Sequence, residues 1–166
     1  MTPYRTAAGY GEAEYEDKRS RFIGHIKPVV SEAEAKAFVE EIRRKYAEEL
    51  HARGAQFSTT ARQELAVLQG AGLTDVCCVT TRYFGGTLLG SGGLVRAYSA
   101  AARAALREAG TAVMRPWRRG SFACSYARYE RMRRLLEEHG ARVEETLFGA
   151  EGEIGFSAPE TQSESF

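Results

Sequence analysis

The chain has 166 residues, a formal net charge of +1 and 43% hydrophobic side chains, enough apolar material for a core, which excludes a disordered chain. No apolar run reaches the length of a membrane span, and the opening MTPYRTAAGYGEAEYED has no apolar signal core. Cys77, Cys78 and Cys124 are too few and too scattered for a disulfide framework, so a cytoplasmic location is expected.

The finer counts narrow the chemistry. The bases are 19 Arg against 4 Lys, the acids 20 Glu against only Asp17 and Asp75, and Asn is absent. Sites built on Asp or Asn have almost no raw material. Residues 1–90 balance to zero, residues 91–142 carry +7, and residues 143–166 carry −6. The basic middle block is the electrostatic pointer to an anionic partner.

In chain order, Glu12–Tyr15 and Arg21–Val30 read as two strands joined by a charged turn. In the second, Phe22, Gly24 and Ile26 share one face, and Ile23 and His25 the other. Ser31 with Glu34 is a capping-box pattern, and Ala35, Phe38, Val39, Ile42 and Tyr46 give the helix that follows an apolar stripe. Residues 47–64 show neither periodicity. Glu64–Gln69 reads as a short helix, and Val76–Thr81 as a buried central strand. A glycine-rich turn leads into the Ala-rich helix Leu94–Glu108. Pro116 marks a boundary within 110–120. After it come strand Ser121–Ala127, helix Tyr129–His139, strand Arg142–Phe148 and strand Glu153–Ser157. This β-α-β-β order lacks the second helix and fourth strand that would complete a split β-α-β unit.

The densest chemical signal is RYFGGTLLGSGGLVRAYS, residues 82–99, where strand, glycines and helix follow one another. That order presents free N–H groups and the positive end of a helix dipole. Arg82, Gly85, Gly86, Ser91, Gly92, Gly93 and Arg96 are the candidate anion- or phosphate-binding residues. The P-loop lysine is absent, and Val95 stands where a dinucleotide fingerprint needs its third glycine. The structural alternative is a tight turn with close helix–sheet packing.

Cys77 and Cys78 are adjacent on a strand, so they point to opposite faces and cannot chelate one metal. No metal site and no cofactor are expected. His25, His51 and His139 are isolated in sequence, and no catalytic residue is assigned. In the basic block, Trp117, Arg118, Arg119, Arg128, Arg131 and Arg134 are the candidate nucleic-acid-binding residues, because arginine with aromatics neutralises phosphates and stacks bases. The alternative is a solvated helix face, in which Glu130 and Arg134 form a favourable i,i+4 pair.

Residues 72–106, GLTDVCCVTTRYFGGTLLGSGGLVRAYSAAARAAL, closely resemble the signature of the YigZ/IMPACT family, and GYGEAEYEDKRSRFIGHIKPV, residues 9–29, resembles its N-terminus. The resemblance implies an α+β protein. Its first part, residues 1–110, would be an α/β two-layer domain like the second domain of ribosomal protein S five. A linker over 111–120 would lead to a partial ferredoxin-like domain over 121–166. It also implies an association with translation, since the eukaryotic relatives restrain a starvation-activated kinase that shuts down initiation. Two departures are noted. The family's strand and acidic-glycine loop expected after the first helix are not recognised in residues 47–64, which predicts an unpaired sheet edge and lowered stability. The C-terminal helix and strand are the second absence.

Three functions follow as expectations. One is a non-enzymatic, translation-associated protein whose Arg-rich region meets RNA or a ribosome or factor surface. Another is a phosphate-ligand-binding protein or small-molecule phosphotransferase using the Gly85–Gly93 turn, for which magnesium-binding carboxylates are scarce. The last is a shortened copy without a function of its own. A membrane partner is not expected.

Overall fold

A computed structural model of the protein describes residues 2–47, 56–59, 62–149 and 151–160. The chain divides into two compact units, Tyr4–Met114 and Arg115–Phe166 with Met1–Pro3. Both mix helices with small antiparallel sheets.

The first unit opens with strand β1 (Tyr4–Ala7), followed by the hairpin β2 (Gly11–Asp17) and β3 (Ser20–Pro28). Lys18 and Arg19 turn the hairpin, both with positive φ (47° and 65°), the signature of a two-residue type I′ turn that matches strand twist. Helix α1 (Glu32–Lys45) starts on the expected cap: the Glu34 N–H donates to Ser31 Oγ, and the Val30 N–H donates to Glu34 Oε2 at 2.9 Å. Strand β4 (Gln56–Thr59) and helix α2 (Arg62–Gly70) come next. Strand β5 (Val76–Tyr83), helix α3 (Gly90–Ala109) and strand β6 (Thr111–Met114) complete the unit.

The sheet order is β2-β3-β5-β4, and β1 pairs with β6 in a separate ribbon. Alternation on β3 is as the sequence spacing requires. Ile23 joins Val29, Cys77, Val79 and Tyr83 under Phe38 and Ile42 of α1. On the opposite face Ile26 and Cys78 pack with Leu68 of α2 and Ala102 and Ala105 of α3, while Phe22 packs with Ala97 and Ala101. Helices therefore cover both faces of the sheet, which corrects the two-layer expectation. Gly24 lets α3 approach: a Cβ there would stand 2.6 Å from the Ala101 carbonyl oxygen.

Two other expectations change. The stretch without periodicity contains β4, which pairs antiparallel with β5 from Gln56↔Arg82 to Thr59↔Val79, so β5 is not the sheet edge. The segment expected as a linker is largely strand. Thr111–Met114 pairs with Ala7–Tyr4, and the next strand begins at Trp117.

The second unit runs β7 (Trp117–Cys124), α4 (Tyr126–Glu138), β8 (Arg142–Phe148) and β9 (Gly152–Pro159). The strand order is β7-β9-β8. Leu136 of α4 packs on Ile154, Ala158 and Ala141, flanked by Phe122, Met132 and Phe156. The other face of this sheet carries no helix of this unit among the described residues. No helix of the described residues is long and apolar enough to cross a membrane.

Candidate functional site

The glycine turn is built by packing as much as by conformation. Gly85 lies on the hairpin turn, where a Cβ would meet the Arg19 carbonyl carbon at 2.1 Å, and its N–H donates to Ser20 Oγ at 3.2 Å. Gly86 and Gly90 take positive φ (83° and 69°), which glycine adopts without steric cost. Gly93 is buried with its Cβ position 3.0 Å from Leu89, whereas Gly92 faces open space. Helix α3 begins earlier than the apolar stripe indicates, so Ser91, Gly92 and Gly93 are its first turn. Leu89 caps it without a side-chain hydrogen bond.

The two arginines that flank this turn in sequence part company in space. Arg96 is exposed with Ser91 and Gly92. Arg82 is buried, its guanidinium carbon 5.6 Å from the Phe22 ring centre and 5.5 Å from that of Phe84. On the same side of the sheet Glu64, fully buried, accepts a hydrogen bond from Thr80 Oγ1. Burial pushes the Tyr98 hydroxyl pKa up, with Arg82 opposing and Glu64 reinforcing the shift. Glu64, Thr80 and Arg82 thus form a buried polar group on this face of the sheet, with the half-buried Tyr98 of α3 feeling the charges of Glu64 and Arg82. Burial also pushes up the Cys78 thiol, helped by Glu64, so Cys78 is a protonated core residue.

The candidate nucleic-acid residues divide over the two sides of the second unit. Trp117 and Arg119 occupy alternate positions on β7, facing away from α4. The Arg142 guanidinium carbon stands 5.0 Å from the Trp117 ring centre, bringing in an arginine that sequence separation hid. Arg119 Nε lies 3.2 Å from Glu144. Arg118 points to the other side and pairs with Glu160 at 3.0 Å. Arg128, Arg131 and Arg134 are exposed on α4, where Arg131 and Arg134 border an open cleft of about 500 Å³ with Glu130, Leu135 and Glu138. The basic block and acidic tail meet here: residues 115–160 contain eight arginines and eight glutamates.

A polar group that the sequence reading missed lies on the α1 face of the first sheet. Glu12 and His25 are direct cross-strand partners. The Tyr10 hydroxyl is 2.6 Å from Glu12 Oε2 and 2.9 Å from His25 Nδ1. A carboxylate only accepts, so Tyr10 donates to Glu12 and accepts from the Nδ1–H. His25 Nε2, fully buried, then keeps a lone pair with no partner among the described residues. Burial lowers the His25 pKa to about 4, so its 3.6 Å approach to Glu12 is not an ion pair near neutral pH. Burial pushes the Glu12 carboxyl up, but hydrogen bonds from Lys45 and Tyr10 hold it below its usual value. The signal was the hairpin register, which follows once the turn is placed at Lys18–Arg19. His51 lies outside the described residues. No cluster of metal-ligating side chains occurs among those described.

Comparison with known proteins defines the class. The Impact N-terminal domain matches residues 50–106, which include the glycine turn, Glu64 and Arg82. The match begins inside residues 47–64 and runs through the glycine-rich signature of residues 72–106. The chain is 30% identical over 147 residues to the IMPACT family member YigZ of Escherichia coli, covering 77% of this chain and 72% of that protein. It is 36% identical over 141 residues to an IMPACT family member of Thermus thermophilus, covering 77% and 78%. The chain belongs to the IMPACT family. It is also 34% identical over 124 residues to YvyE of Bacillus subtilis, of whose length the match spans 57%. A crystal structure of a hypothetical protein superposes with a TM-score of 0.62 at 26% identity, covering 99% of this chain and 89% of that one.

Proposed function

We propose that this chain is a non-enzymatic, translation-associated regulatory protein that binds RNA, or a ribosome or factor surface, through the helix-free face of the β7-β9-β8 sheet. The observation that carries this reading is the Arg142–Trp117 stack with Arg119 beside it, an indole and two guanidinium groups on an open strand surface. A base can stack on the indole while the arginines meet phosphates. We read the second unit as part of a ferredoxin-like domain, supported by its β-α-β-β order and by a sheet in which the third strand lies between the first and second. We read the first unit as related to the second domain of ribosomal protein S five. Trp117, Arg119 and Arg142 are the core of the proposed surface. Arg128, Arg131 and Arg134, on the α4 side, would add only long-range attraction.

The test is binding of a single-stranded RNA oligonucleotide at increasing salt. Affinity should fall steeply with salt, and Trp117→Ala and Arg142→Ala should each weaken it by about tenfold. Binding absent from the wild type, or unchanged from it in both variants, refutes the reading.

A second reading, a phosphate-ligand-binding protein or phosphotransferase at Gly85–Gly93, is favoured by one observation: the first turn of α3 has no side-chain cap and exposes Ser91 and Gly92. Burial of Arg82 removes one of its two expected clamps. A thermal shift on adding inorganic phosphate or a nucleoside triphosphate would support it. No shift with either would refute it.

A further inference from the structure

The first unit carries a second surface, independent of the RNA reading. Among the described residues, strand β2 is an edge of its sheet and pairs with β3 alone. In a two-residue hairpin Asp17↔Ser20, Tyr15↔Phe22 and Ala13↔Gly24 are the hydrogen-bonded pairs. The N–H and C=O groups of Glu12, Glu14 and Glu16 therefore point outward from the sheet. None of them has a backbone partner among the described residues.

Beside this edge lies an open cleft of about 640 Å³. Its floor is Tyr15 with Ala100 and Ala104 of α3, and Arg103 and Arg107 line it from the helix. Both arginines are exposed and make no ion pair among the described residues. They are one helical turn apart, about 6 Å along the axis. Alternate residues of an extended strand are about 6.7 Å apart. The helix runs antiparallel to β2, since Gly11 lies against Ala105 and Ala109 while Gly24, opposite Ala13, lies against Ala101.

We propose that β2 and this cleft bind an extended acidic segment of a partner protein by strand addition, with two carboxylates two residues apart meeting Arg103 and Arg107. Outward backbone groups supply the ladder, and the arginine pair selects side chains on one face. A second copy of this chain is the poorer occupant. Pairing β2 with β2 would set the rows of Glu12, Glu14 and Glu16 against each other, a like-charge arrangement that protects edges from self-association.

The test uses the full chain and a fluorescein-labelled ten-residue peptide of alternating threonine and glutamate, followed by anisotropy. The wild type should bind it. Arg103→Glu with Arg107→Glu should weaken binding by about tenfold or more. Glu14→Pro should do the same by removing an outward N–H while sparing the ladder to β3. Circular dichroism checks that both variants fold. A peptide that fails to bind the wild type overturns the proposal. Binding unchanged by Glu14→Pro overturns strand addition. Displacement of the peptide by an RNA oligonucleotide at lower concentration than unlabelled peptide would assign the surface to nucleic acid and also overturn it.

Discussion

Replacing Gly24 with alanine perturbs the closest approach of α3 to the sheet by a single methyl group. The new Cβ would stand 2.6 Å from the Ala101 carbonyl oxygen and 2.9 Å from its carbonyl carbon, far inside van der Waals contact. The obstacle is helix backbone, so no side chain can rotate away. The helix cannot retreat without opening the contacts of Ala97, Ala101, Ala102 and Ala105, all fully buried. Overpacking of this kind costs about 3 kcal/mol, which at an ordinary urea m-value lowers the unfolding midpoint by roughly 1–2 M. Gly92→Ala is the control. Nothing lies within 4 Å of its Cβ position, and alanine in a helix gains up to about 1 kcal/mol over glycine. Urea denaturation followed by far-ultraviolet circular dichroism separates the two. A Gly24→Ala midpoint within roughly 0.3 M of wild type would refute the packing argument.

Other expectations follow from single residues. Lys18→Asn with Arg19→Gly places the residues favoured in a type I′ turn at two strained positions, and should raise stability by about 1 kcal/mol in the same denaturation experiment; a loss would count against the turn. Leu136→Ala empties the centre of the second core and should cost about 3 kcal/mol, read through the fluorescence of Trp117, which belongs to that unit. His25 has a folded pKa lowered to about 4, so the unfolded chain takes up its proton first as pH falls. Stability should decline from about pH 6.5 toward pH 4 by up to roughly 3 kcal/mol, and His25→Gln should flatten that part of the profile. A His25 resonance already charged at pH 6 would contradict the assignment.

Local chemistry made much of this fold legible. The Ser31 cap and the two faces of β3 follow from spacing alone, because capping boxes and period-two alternation are properties of neighbouring residues. Strands β4 and β6 were not legible. Their four-residue segments, QFST and TAVM, are too short for a period, and β6 acquires its identity from β1, more than a hundred residues away. The glycine turn was readable as a strand-to-helix junction, but the spacing gave no sign that Arg82 turns into the core while Arg96 stays outside. The basic block was readable as charge and its neutralisation was not, since Glu144 and Glu160 reach Arg119 and Arg118 only through the sheet. The Arg142–Trp117 stack has the same origin. It exists because β9 holds β7 and β8 on either side.

The most direct test of the RNA reading uses the single tryptophan of the chain. Titrating a single-stranded RNA oligonucleotide into the protein while exciting Trp117 should quench its emission as a base stacks on the ring, and the apparent affinity should fall as salt rises. Emission unchanged at saturating RNA, or quenching indifferent to salt, would contradict the proposed binding face.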